Sequence, residues 1–151
     1  NHPEAEIDFW GDKFPEMHKI PRLNNNGFEA NAIYKSKIRD RGYWFAVVPL
    51  GGEEDSETLL FNSCKSCIKY IDYGSLGIPG IYSNTPVYSE VVNNGETGFL
   101  VKNQDDDWIT NMEKLYEDKK LRQKLRINAY DDCINNYGLD ESAKILSSLI
   151  V

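Results

Sequence analysis

Residues 65–84, KSCIKYIDYGSLGIPGIYSN, decide how the rest of the chain is read. The spacing predicts a helix over 63–76, with Ser63 as its N-cap and Gly77 as the C′ residue that stops it. A short buried strand over 78–82 follows. Pro79 cannot donate to a ladder, so it marks the start of that strand or an edge. On such a helix Lys65 and Lys69 lie one turn apart and repel by about 0.2–0.5 kcal/mol. They also sit at the positive end of the helix dipole. Helix N-termini are phosphate sites, so an anion arriving there relieves the crowding. The segment therefore points to a phosphate-bearing ligand. The alternative is a pair of solvated lysines, with Lys69 reaching Asp72 at i+3.

Working outward, strands and helices alternate. Strands are predicted at 7–10 and 28–30, a helical turn at 16–20, a polar loop at 24–27 and a helix at 32–40 stopped by Gly42. The run 44–48 is continuously apolar, the pattern of a strand covered on both faces. The Gly- and acid-rich 50–58 reads as a loop over a site. Beyond the decisive stretch come a helical turn at 88–92, a turn at 93–95 and a strand at 98–101. From Asp105 the chain is helical: Trp108, Met112, Leu115 and Tyr116 repeat at helical spacing, as do Leu121, Leu125, Ala129 and Cys133. Ala143, Leu146, Leu149 and Ile150 mark a last helix. This order predicts one α/β domain, a Rossmann-like parallel sheet with helices on both faces.

The bulk composition narrows the function classes. The chain has 151 residues, 40% hydrophobic and 12% aromatic, which suits one globular domain. A formal charge of −7, without a basic face, argues against nucleic acid as a general partner. No apolar run approaches the ~20 residues of a membrane span. No signal-peptide pattern opens the sequence, and three cysteines suit a reducing compartment, so a cytoplasmic protein is expected. Cys64 and Cys67 form a CxxC, a redox pair or half a metal site in other settings. Together with Ile68 and Ile71 they make one apolar stripe at i, i+3, i+4 and i+7, and the core reading outweighs the redox one.

Taken in order, Asp72-Tyr73, Gly77-Ile78-Pro79, Ser83, Glu90-Val91-Val92 and Gly95-Glu96-Thr97-Gly98-Phe99-Leu100-Val101 resemble the donor-binding half of group 1 glycosyltransferases. These are retaining, family 4 enzymes of GT-B architecture. Trp108, Leu115, Asp118, Leu121, Arg122 and Asn128-Ala129 fit the family's C-terminal helices, so the resemblance covers residues 44–143. It implies a nucleotide-diphosphate sugar as donor, no cofactor and no metal. It also implies a glycan or lipid-linked acceptor bound by a separate domain. Of two family glutamates eight positions apart, the second falls on Asp72, which would hold the ribose hydroxyls. The first falls on Cys64, a departure. Lys65, Ser66, Lys69 and the backbone near Ile68 are expected to take over phosphate or sugar contacts. The backbone over Phe28–Ala30 would edge the base, and Glu90 would position the loop after the strand. No catalytic side chain is expected within the chain itself, because the departing phosphate can serve as the base.

The resemblance further implies that the acceptor domain and the first strand–helix unit lie outside this chain, leaving a fragment that binds donor without turnover. The parent would serve bacterial surface polysaccharide or glycoconjugate synthesis, peripheral at the inner membrane face. Two alternatives stay open: a degenerate, non-catalytic donor-like domain, and a GT-B-type epimerase or synthase. Asp105-Asp106-Asp107 mimics a metal-binding DxD, but at a helix start it reads as dipole compensation. There is no GxGxxG and no GxxxxGK[ST].

Overall fold

Strand β4 (Gly80–Ser83) is buried at all four positions and organises the larger sheet. In the computed structural model, which describes residues 2–12, 15–51 and 56–149, it lies between β3 (Ala46–Val48) and β5 (Phe99–Val101). Both pairings are parallel, with Val47 opposite Ile81 and Tyr82 opposite Leu100. Side chains alternate faces along a strand, and here each face feeds its own core. Tyr82, Val48 and Leu100 join Tyr70, Tyr88, Val92 and Cys133 on one side. Ile81, Val101 and Phe99 join Leu115 and Leu125 on the other. The elements covering them are α3 (Ile68–Gly74), α4 (Pro86–Ser89), α5 (Asp105–Glu117) and α6 (Lys119–Tyr137). This is the expected parallel α/β arrangement with helices on both faces.

Strand β3 corrects one expectation. It forms an edge of this sheet: Val48 and Phe45 pack on the two cores, but Val47 and Trp44 are 41% and 54% exposed, so the run is only partly covered. Pro79 immediately precedes β4, and its carbonyl accepts from Ala46 N at 2.9 Å.

The decisive segment is not one helix. α2 (Ser56–Ser63) ends where the N-cap was expected, and α3 begins at Ile68. Ser63 Oγ donates to the carbonyl of Leu60, a local bond that competes with helix continuation. The apolar stripe divides accordingly. Cys67 and Ile71 pack on the core, whereas Cys64 is exposed and Ile68 is 44% exposed. The far end does match: Gly77 N donates to Gly74 O at 2.8 Å and Ile78 N to Tyr73 O at 2.9 Å. With Gly77 at φ +66, this is a Schellman stop with glycine at C′.

Further on, Asp105, Asp106 and Asp107 fill the first turn of α5, and Asp118 caps α6 by accepting from Leu121 N at 2.9 Å. The Arg122 guanidinium donates to the last carbonyls of α5, at Leu115 and Tyr116, and stacks 4.3 Å from the Trp44 ring. α7 (Leu139–Ser148) follows, with Leu146 and Leu149 exposed; Ile150 lies outside the described residues.

The chain divides into two compact units, Asn1–Arg41 and Gly42–Val151. In the first, β1 (Ile7–Phe9) pairs in parallel with β2 (Leu23–Asn25), and α1 (Asn31–Arg41) follows. The second strand therefore lies in the expected polar loop rather than at 28–30. Pairing with β1 overrides the weak strand propensity of its two asparagines. A 3₁₀ turn over Pro15–Lys19 replaces the expected helical turn. Trp10 meets Tyr34 edge-on at 5.3 Å, while Arg41 pairs with Asp8 and lies over Trp10.

Candidate functional site

Ligands of open α/β sheets bind beyond the carboxyl ends of the strands. At that edge of the three-stranded sheet the chain builds a polar knot. Ser83, the last residue of β4, is fully buried. Its Oγ accepts from Leu50 N at 2.7 Å and donates to Asn103 Oδ1 at 2.7 Å. Asn103 Nδ2 donates in turn to Leu50 O at 2.6 Å. Asn62 of α2, also buried, donates through Nδ2 to the Gly51 carbonyl. The segment leaving β3 is thereby tied to β4, to the residues after β5 and to α2.

Beside the knot is a cleft of about 40 Å³, lined by Leu50, Gly51, Leu59, Asn62, Ser63, Thr85 and Pro86. It has room for a few waters. Tyr88, on α4 next to the Thr85–Pro86 wall, has its phenol pushed up to about 12 by burial, with Tyr73 and Cys67 adding to the shift.

Immediately after the cleft residue Ser63 come Cys64, Lys65 and Ser66, all exposed. The Lys65 ammonium sits 4.9 Å from the centre of the Phe61 ring. Because the helix breaks here, Lys65 stands in the turn before α3, and the crowding of two lysines on one helix end does not arise. Lys69, in the first turn of α3, pairs with Asp72 at 3.8 Å, the i+3 alternative that the sequence left open. The Asp72 carboxylate is 5% exposed and the Lys69 side chain 41%.

The structure thus places Lys65, Ser66, Ile68, Lys69 and Asp72 on one continuous stretch at the start of α3. Glu90 is exposed at the end of α4. Phe28 belongs to the first unit and is 77% exposed, outside any strand. Sequence reasoning missed Asn62 and Asn103, whose partners are 11 and 53 residues distant. The one available signal was Asn103 itself, an asparagine two residues past the apolar strand β5.

A family model described as glycosyl transferases group 1 matches residues 66–132, from the turn before α3 to the middle of α6. The fold is similar to that of a glycosyltransferase from Rickettsia africae, with a TM-score of 0.65 at 16% identity over 85% of this chain and 31% of that one. It is also similar to HepE of Anabaena in complex with UDP, with a TM-score of 0.69 at 16% identity over 97% of this chain and 41% of that one. The same Anabaena protein in complex with UDP-glucose gives 0.68 over the same shares. These likenesses establish the fold as that of the C-terminal domain of GT-B glycosyltransferases. The chain spans less than half the length of either protein. No curated protein matches it. Among the described residues, no helix is long and apolar enough to cross a membrane.

Proposed function

We propose that this chain is the nucleotide-sugar-binding part of a group 1 glycosyltransferase, and that the whole protein transfers a sugar from a nucleotide-diphosphate donor with retention at the anomeric carbon. The observation that carries the reading is the family match over 66–132. It falls on the stretch that holds α3, the Gly77 stop, β4 and β5, and it includes the cleft residues Thr85 and Pro86. The UDP and UDP-glucose complexes of the Anabaena protein, which shares the fold, support a uridine diphosphate sugar as the first donor to try.

In this reading Asp72 accepts from the ribose hydroxyls, exchanging its ion pair with Lys69 for the sugar. Lys65, Ser66 and Lys69, with the backbone at Ile68, meet the diphosphate as charge develops on it. Glu90 positions the loop after α4. The acceptor, a glycan or a lipid-linked glycan, is bound by a further domain of the whole protein, which works in the cytoplasm at the inner membrane face in surface polysaccharide or glycoconjugate synthesis.

One observation favours a second reading, a donor-like binding domain without catalysis: Cys64, exposed, stands where the resemblance has its first glutamate. Calorimetric titration with UDP, UDP-glucose and GDP tests the donor site, and transferase assays on the whole protein separate the two readings. Asp72→Ala and Lys65→Ala are expected to weaken donor affinity about tenfold each. Cys64→Glu is expected to raise activity only if the protein is a degenerate transferase. Wild-type affinity and activity in all three variants would refute the site.

A further inference from the structure

Leu50 leaves β3 with both of its peptide groups held by side chains. Its N–H reaches Ser83 Oγ and its carbonyl receives Asn103 Nδ2. Leu50 and Gly51 form one wall of the cleft. Asn103 belongs to neither the cleft lining nor the stretch at the start of α3. We infer that Asn103 is a positioning residue for the proposed donor site: acting through Ser83 and the Leu50 peptide, it fixes the wall against which the donor packs. The inference rests on the reading of the site given above.

The chemistry asks for an amide at this position. One atom must accept from the Ser83 hydroxyl while its neighbour donates to the Leu50 carbonyl. A carboxylate meets the first demand and fails the second, setting a negative oxygen against the carbonyl. A leucine of similar volume fails both. Ser83 is fully buried, so when Asn103 is lost its hydroxyl keeps only the Leu50 carbonyl, 3.4 Å away, as acceptor. The Leu50 peptide then exchanges fixed partners for fluctuating ones. Asn62 still ties Gly51 to α2, which confines the loosening to the Leu50 end of the wall.

The test uses Asn103→Leu and Asn103→Asp in the full chain. Two readouts apply: residue-resolved hydrogen exchange of the Leu50 amide, and calorimetric affinity for UDP and GDP at a temperature where melting curves show all three proteins folded. The expected result is exchange of the Leu50 amide at least about tenfold faster in both variants, with amides of β4 and β5 unchanged. Nucleotide affinity falls about tenfold alongside it. A merely structural role lowers the melting temperature but leaves affinity in the folded protein intact, and that result overturns the inference. Unchanged Leu50 exchange overturns it as well. A wild-type chain that binds neither nucleotide instead removes the site reading on which the inference stands.

Discussion

Gly74 stands where α3 meets α6. A Cβ there would lie 2.4 Å from Cys133 Sγ and 3.2 Å from the Ala129 carbonyl, so the two helices meet closely only because the side chain is absent. Gly74→Ala should destabilise the chain by about 1–3 kcal/mol through overpacking. Removing the sulfur in Gly74→Ala/Cys133→Ala should return part of that loss. Denaturant titrations of the two single variants and the double variant measure the coupling. The same sulfur sets an alkaline limit. Burial, with the neighbouring Asp132 charge adding, pushes the Cys133 thiol from 9.0 up to about 12. Its unfolded counterpart ionises first, so the stability it contributes is complete below pH 9 and is lost as pH rises towards 12. Tyr88 adds the same sign between pH 10 and about 12. Urea midpoints should therefore fall from pH 8 to pH 10.5, and equal midpoints would contradict the burial argument.

At the scale of elements, the stop at Gly77 and the cap at Asp118 are the local devices that fix where α3 ends and α6 begins. Gly77→Ala forces a Cβ into the left-handed region and against the Arg126 side chain 3.0 Å away, and should cost about 1–2 kcal/mol. Asp118→Ala should cost about 1 kcal/mol by leaving Leu121 N without its cap. Thermal melts of the two variants check both figures. Such local devices are also what the sequence makes legible. A glycine before Ile78-Pro79, the acidic first turn at Asp105, Asp106 and Asp107, and the 3.6-residue spacing of Leu121, Leu125, Ala129 and Cys133 each act within a few residues, and each is found where expected. The break between α2 and α3 was hidden because an apolar stripe running from Cys64 to Ile71 hides a backbone that Ser63 has already terminated. β2 was hidden because its strand character comes from pairing with β1 rather than from Leu23, Asn24 and Asn25. Of the proposed site, the sequence nominates the stretch from Lys65 to Asp72. The knot of Leu50, Ser83 and Asn103 was not legible, because its partners meet only once three strands are aligned.

For the whole molecule, a net charge of −7 opposes the proposed anionic donor, so on that proposal the attraction is local. Lys65 and Lys69 are the cations at the start of α3, and both are partly or fully exposed. Affinity for UDP should accordingly weaken as salt rises from 50 to 500 mM, and less so in Lys65→Ala, in calorimetric titrations at each ionic strength. The most direct test of the central claim is a hydrogen-exchange footprint of UDP-glucose on the full chain, read residue by residue. Protection concentrated at residues 50–51 and 65–72 is the predicted result, and any change at Gly27 and Phe28 would report whether the first unit takes part. Saturable binding with no protection at 65–72 would contradict the account.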